Sequence, residues 1–167
     1  MRQRFLLLGL VGLFFSLAGC STAELTKAKT GYITDLDDRR ILVNDTYFSV
    51  SENTEIVSET DKPLTFADLE IGMEVEPWFD GAIRESFPAQ ADVNKIVVLE
   101  EEDGKRMEEA VKAVVQYAEA NYGKPVVFQA SEVSDAHFQA TIAGMTIEHP
   151  NPITIRYDFE AKQIQVE

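Results

Sequence analysis

The stretch GYITDLDDRRILVNDTYFSV, residues 31–50, decides the architecture. Segments 31–35 and 40–44 are both rich in β-branched and aromatic residues, and the Asp-rich residues 36–39 between them read as the turn of a hairpin. Asn44-Asp45-Thr46 breaks the chain before a third strand, 47–50, and a further short one is expected over 54–57. The pattern then changes. Thr65-Phe66-Ala67-Asp68-Leu69-Glu70-Ile71-Gly72 offers a Thr cap, an acid three positions on and a Gly stop, enough for one helical turn. Strand character resumes over 73–80, where Met73, Val75 and Pro77 alternate with acidic residues; Pro77, lacking an N–H, places an edge or a bulge there. A loop over 81–90 precedes the last strand, 93–99, whose run Ile96-Val97-Val98-Leu99 suggests burial on both faces. Five short strands with one helical turn between the third and fourth are what a small closed barrel of the OB type requires.

C-terminal to this barrel, Met107, Ala110, Val111, Val114, Val115, Ala118 and Tyr122 recur at helical spacing, with charged residues of both signs between them. Asp103 opens this amphipathic helix, and Gly123 with Pro125 behind it closes it. The mixed signs of its polar face favour packing on a core over lying on a membrane. Residues 126–130, 137–142, 145–148, 153–159 and 163–166 then alternate as strands. A helix followed by an antiparallel meander makes a layer of helix on sheet. The expected fold class is therefore α+β, mostly β: an OB-like barrel over residues 30–100 and a helix-on-antiparallel-sheet domain over residues 103–167.

The phrases GYITDLDDRRILV, TFADLEIGMEVEPWFDG and ESFPAQADVNKIVVL, within residues 31–99, resemble the YobA-like lipoproteins of Bacillus and relatives, most specifically at WFDG (78–81) and PAQA (88–91). The resemblance implies a lipid-anchored, extracytoplasmic barrel carrying a domain of unknown function. It supplies no activity, and it leaves the second module untouched. At those same phrases Trp78, Phe79, Asp80 and Gln90 make a candidate binding patch, with two aromatic anchors beside an amide. The competing reading makes Trp78 the plug of the barrel's open end, Asp80-Gly81 turn chemistry and Gln90 a cap on a loop carbonyl.

Ahead of the barrel, Arg2 and Arg4 precede an apolar run that ends in Leu17-Ala18-Gly19-Cys20. This is the three-part layout of an export signal over residues 1–19, and LAGC resembles a lipobox. The apolar run is shorter than the ~20 residues a spanning helix needs. Cys20, the single cysteine, is the expected acceptor of diacylglycerol, with palmitate-type chains holding the protein on the outer face of the cell membrane. Residues 20–29 read as a tether. Committed to lipid, Cys20 leaves no thiol for a disulfide or for redox chemistry.

Without Arg2 and Arg4 the mature chain carries 13 basic and 29 acidic residues, a net charge of −16. Such a field makes nucleic acid a poor partner and favours cations and basic proteins. His137 and His149 have no metal-binding spacing, no Ser lies in a GxSxG or SxxK setting, and no Gly-rich loop is present. Asp35, Asp37 and Asp38 begin no EF-hand, because Arg40 and Thr46 stand where its Gly and Glu belong. Glu100, Glu101, Glu102 and Asp103 read as a solvated linker. No cofactor and no metal site is expected. The expectation is a non-catalytic lipoprotein that binds a protein at the cell envelope, its rival a small-molecule or cation binder.

Overall fold

The computed structural model describes residues 24–100, 103–144, 146 and 149–167. Cys20 and the export signal lie outside the described residues. So does the strand expected over 145–148, apart from Thr146, which sits in a bend.

Six strands build the first module: β1 Thr26–Lys27, β2 Gly31–Asp37, β3 Arg40–Val43, β4 Thr46–Ser58, β5 Glu74–Arg84 and β6 Ala89–Val98. The ring runs β2-β3-β4-β6-β5 and returns to β2, so five strands close a barrel, with β4 and β6 parallel and every other pair antiparallel. Alternation turns Ile33, Ile41, Val43, Phe48, Val75, Phe79, Val93 and Ile96 inward. A single 3-10 turn, Phe66–Asp68, links β4 to β5. Thr65 fixes it, its backbone N–H and its hydroxyl donating to Asp68 Oδ2 at 2.8 and 2.7 Å.

Three local details differ from the sequence reading. The strands expected at 47–50 and 54–57 are one, β4, whose register shifts between Val50 and Glu55. Thr54 holds that bulge by accepting from Ser51 N and donating to Val93 O. The expected loop over 81–90 is largely strand, because β5 continues to Arg84 and β6 begins at Ala89. Pro77 stands where β2 gives way to β1 along β5; Ala28 N donates to its carbonyl at 2.8 Å, and the register shifts just beyond it.

The second module is α1, Gly104–Tyr122, and an antiparallel sheet of β7 Phe128–Val133, β8 His137–Ile142, β9 Ile153–Asp158 and β10 Gln163–Val166, in the order β10-β9-β8-β7. The helix buries Met107, Ala110, Val111, Val114, Val115 and Ala118 against Phe138, Ala140, Ile142, Ile155 and Tyr157. Gly123 ends it at φ +89°, its N–H donating to Glu119 O. The sheet's other face is polar: Arg156 donates to Gln139 Oε1 at 2.9 Å and pairs with Glu167 at 2.7 Å.

The two cores are separate, but side chains of each module pack across the seam between them. Tyr32 leaves the barrel wall to enter the second core, edge-on to Phe138 with ring centroids 5.6 Å apart. Leu42 packs with Val127 and Ala143, and Tyr47 flanks them. Gly72, at φ +97°, lies so near the helix that a Cβ would stand 2.7 Å from Glu108 O. Lys112 bridges Glu70 and Glu108 at 2.7 and 2.6 Å.

Candidate functional site

Trp78, Phe79, Asp80 and Gln90 do not share one surface. Alternation along β5 sends Val75, Pro77 and Phe79 into the barrel and leaves Glu76 and Trp78 on its outer wall. Phe79 is core, buried edge-on against Phe48 at 5.9 Å between centroids, and so is closed to any partner. Trp78 is half-buried and plugs no barrel end; its indole N–H donates to Glu76 Oε1 at 2.7 Å, and Glu76 also pairs with Lys27 of β1.

Asp80 and Gln90 instead shape the β5–β6 hairpin. Asp80 Oδ1 accepts from Ala82 N at 2.9 Å, and Gly81 turns the chain at φ +88°. Gln90 Nε2 donates to Ser86 Oγ, which itself donates to Pro88 O. The Arg84 guanidinium forks onto the Asp92 carboxylate at 3.0 and 3.2 Å, and its hydrogen bonds hold that carboxyl below its ordinary range. This scaffold presents Ile83, 52% exposed, and Phe87, 58% exposed, at the apex. Sequence reasoning missed both, since the segment read as a loop; two large apolar side chains four apart among turn residues were the available signal.

Strand β1 runs antiparallel to β5, Thr26 opposite Phe79 and Lys27 opposite Trp78. Followed toward its N-terminus the chain therefore heads for the hairpin apex, and a Cβ on Gly81 would lie 3.5 Å from Thr26 Oγ1. Leu25, the residue before, is also exposed. Three of the five exposed large apolar side chains among the described residues thus gather at this end. The other two, Val133 and Val166, sit on the edge strands of the second sheet.

OB barrels take oligonucleotides and oligosaccharides on the outer face of their second and third strands, here β3 and β4. That face is covered. Leu42 and Tyr47 are cross-strand partners on it, and both lie under Val127 and Ala143 of the second module. Tyr47 donates to Asp35 Oδ2 at 2.5 Å while the Arg40 guanidinium stacks 4.7 Å above its ring. Burial, reinforced by Asp35, raises the Tyr47 phenol above its ordinary pKa and keeps it a neutral donor.

Two features remain open. Among the described residues β7 pairs only with β8; its residues 129–133 are exposed, hold no Pro and carry one charge, Glu132. At the seam, a cavity of about 250 Å³ is walled by Tyr32, Met73, Val98, Leu99 and Met107, with Glu74, Glu100, Lys105 and Glu108 on its rim.

Residues 30–100 match the family model described as Protein of unknown function (DUF3221). The match covers the whole barrel from β2 to β6 and stops short of α1. No curated protein and no solved structure matches the chain.

Both histidines of the chain lie outside the matched residues, His137 at the start of β8 and His149 in the segment between β8 and β9. His137 Nδ1 meets Ser134 Oγ at 3.0 Å, and the His149 ring packs edge-on against Tyr122 at 4.9 Å. Among the described residues no group of three His, Cys, Asp or Glu is placed to hold a metal ion, and no helix is long and apolar enough to cross a membrane. Two acids of the Asp35, Asp37 and Asp38 cluster are engaged locally: Asp35 accepts from Tyr47 and Asp37 from Arg40.

Proposed function

We propose that this chain is an extracytoplasmic lipoprotein, held to the cell membrane by lipid on Cys20, that binds a partner protein at the envelope without catalysing a reaction. The likeness of residues 31–99 to YobA-like lipoproteins and the lipobox-like LAGC support the anchor. The open edge of β7 carries the binding reading. A partner segment in extended conformation gains backbone hydrogen bonds there by adding a strand, with the exposed side chains of Ala130 and Val133 setting selectivity. Edges left this long and this weakly charged are unusual unless they are used or covered.

Cross-linking in intact cells tests the reading. The wild type is expected to capture a specific partner, and Ala130→Lys/Val133→Lys, which charges the edge, is expected to lose it with an unchanged melting temperature. Retention of the partner by that variant sinks the strand-addition surface. A second reading, a small-molecule or cation binder, draws on the seam cavity, whose apolar wall and acidic rim suit an amphiphilic cation. It predicts a rise in melting temperature with calcium, peptides or wall fragments, and flat curves with all three reject it.

A further inference from the structure

We infer that the apex of the β5–β6 hairpin, through Ile83 and Phe87, rests in the interface of the lipid bilayer beside the acyl anchor. The inference deepens the anchoring reading and depends on it.

The first argument is geometric. Six residue steps lead from Cys20 to Thr26, a reach of at most about 20 Å even fully extended. Thr26 is paired to Phe79 at the base of the hairpin, and the chain before it runs toward the apex. Ile83 lies about 7 Å further along the barrel than Phe79, since their partners on β6, Ala91 and Val93, are two residues apart and β5 bulges between them. A lipid on Cys20 therefore draws the apex end of the barrel to the membrane, and the opposite end, with Arg39 and the 3-10 turn, faces away.

The second argument is chemical. Leu25, Ile83 and Phe87 are the exposed apolar side chains of that end, and an apolar tip with polar shoulders gains by entering the boundary between headgroups and acyl chains. Behind the tip Arg84 pairs with Asp92 and Lys27 with Glu76, and Asp80, Lys29 and Asp45 complete the polar shoulder. Glu85, between the two apolar residues, and the chain's net negative charge both favour zwitterionic over anionic headgroups. So small a tip binds weakly alone; it orients a protein that the acyl chains already hold.

The test uses the lipidated mature protein in phosphatidylcholine vesicles. Trp78 is the single tryptophan, so Phe87→Trp in a Trp78→Phe background reports on the apex alone, and Glu52→Trp in that background reports on the opposite end. The indole at position 87 is expected to emit at shorter wavelength than in water and to be quenched roughly two-fold by brominated acyl chains, whereas the one at position 52 stays water-like. Unquenched emission at position 87 from protein that floats with the vesicles overturns the inference and leaves the anchor standing. Equal quenching at both positions overturns it as well, by showing non-specific adsorption. A chain whose mass lacks diacylglycerol on Cys20, and which does not float, overturns the anchoring reading and this inference together. If the Trp78→Phe background melts without cooperativity, Phe87→Cys labelled with a polarity-sensitive dye in the otherwise native chain gives the same readout, since Cys20 is then acylated.

Discussion

Strand β4 has a neighbour on each side and β5 closes the ring, whereas among the described residues β7 and β10 have one neighbour each. The barrel thus pairs its backbone within residues 26–98 and fills its core from its own strands and the segment around the 3-10 turn. The helix-on-sheet module leaves two edges open and completes its core with Tyr32, a residue of the barrel. Closure removes edges outright, while an open sheet must cover, blunt or use them. The barrel is the self-sufficient half, and the second module both leans on it and hides the face on which OB barrels bind.

Separating the halves should produce the largest effect. Residues 24–100 alone are expected to melt cooperatively, and residues 103–167 alone to stay largely unfolded, as read by circular dichroism and amide exchange. A cooperative transition in the isolated second module breaks the comparison. Next, Phe138→Ala removes a fully buried ring that touches Tyr32 and Phe128, at an expected cost of about 3–5 kcal/mol. Denaturant melts should show that loss, with exchange rising in β8 and β9 while β3 and β4 stay protected.

Leu42→Ala empties the seam instead of either main core and should cost about 2–3 kcal/mol, at the low end for such truncations because the small cluster around it, Val127, Ala143 and Tyr47, offers few contacts to lose. Its signature is exchange rising on both sides of the seam at once. Thr34→Val should act in the opposite direction. Thr34 is fully buried and its hydroxyl has no hydrogen-bond partner among the described residues, so the isosteric methyl is expected to add up to about 1 kcal/mol. A loss of stability would mean that the hydroxyl is satisfied in solution. The smallest effect is that of acid. Hydrogen bonds from Lys112 hold the Glu70 carboxyl below its ordinary range, so its contribution is present above about pH 4.3, the unfolded value, and fades as pH falls through the lower folded value. The difference in melting temperature between wild type and Glu70→Gln should therefore shrink from pH 7 to pH 3. The pair is solvent-exposed, which keeps the effect slight.

Asp80 and Gln90 were legible as chemistry but not as roles: turn-forming side chains look the same whether they bind a ligand or brace a hairpin. Phe79 was legible as an aromatic at a strand end, and only its neighbour Phe48, 31 positions away, makes it core. Ile83 and Phe87 escaped because Asp80-Gly81 imitates the end of a strand, although β5 bulges there and continues.

By itself the sequence determined what depends on near neighbours. The 3.6-residue recurrence from Met107 to Tyr122 dictates α1, the alternation over 153–158 dictates β9, and Thr65 with Asp68 dictates the single turn between β4 and β5, because each pattern is enforced within a few residues. Tertiary structure alone decided which second face was buried. Tyr32, Leu42 and Tyr47 point out of the barrel, and nothing local distinguishes a solvent-facing side chain on a strand from one awaiting Phe138, Val127 or Ala143. The parallel pairing of β4 with β6 likewise joins segments more than 40 residues apart, Thr46 to Ala89. Their alternation would have been the same in either orientation, and only closing the ring selects one.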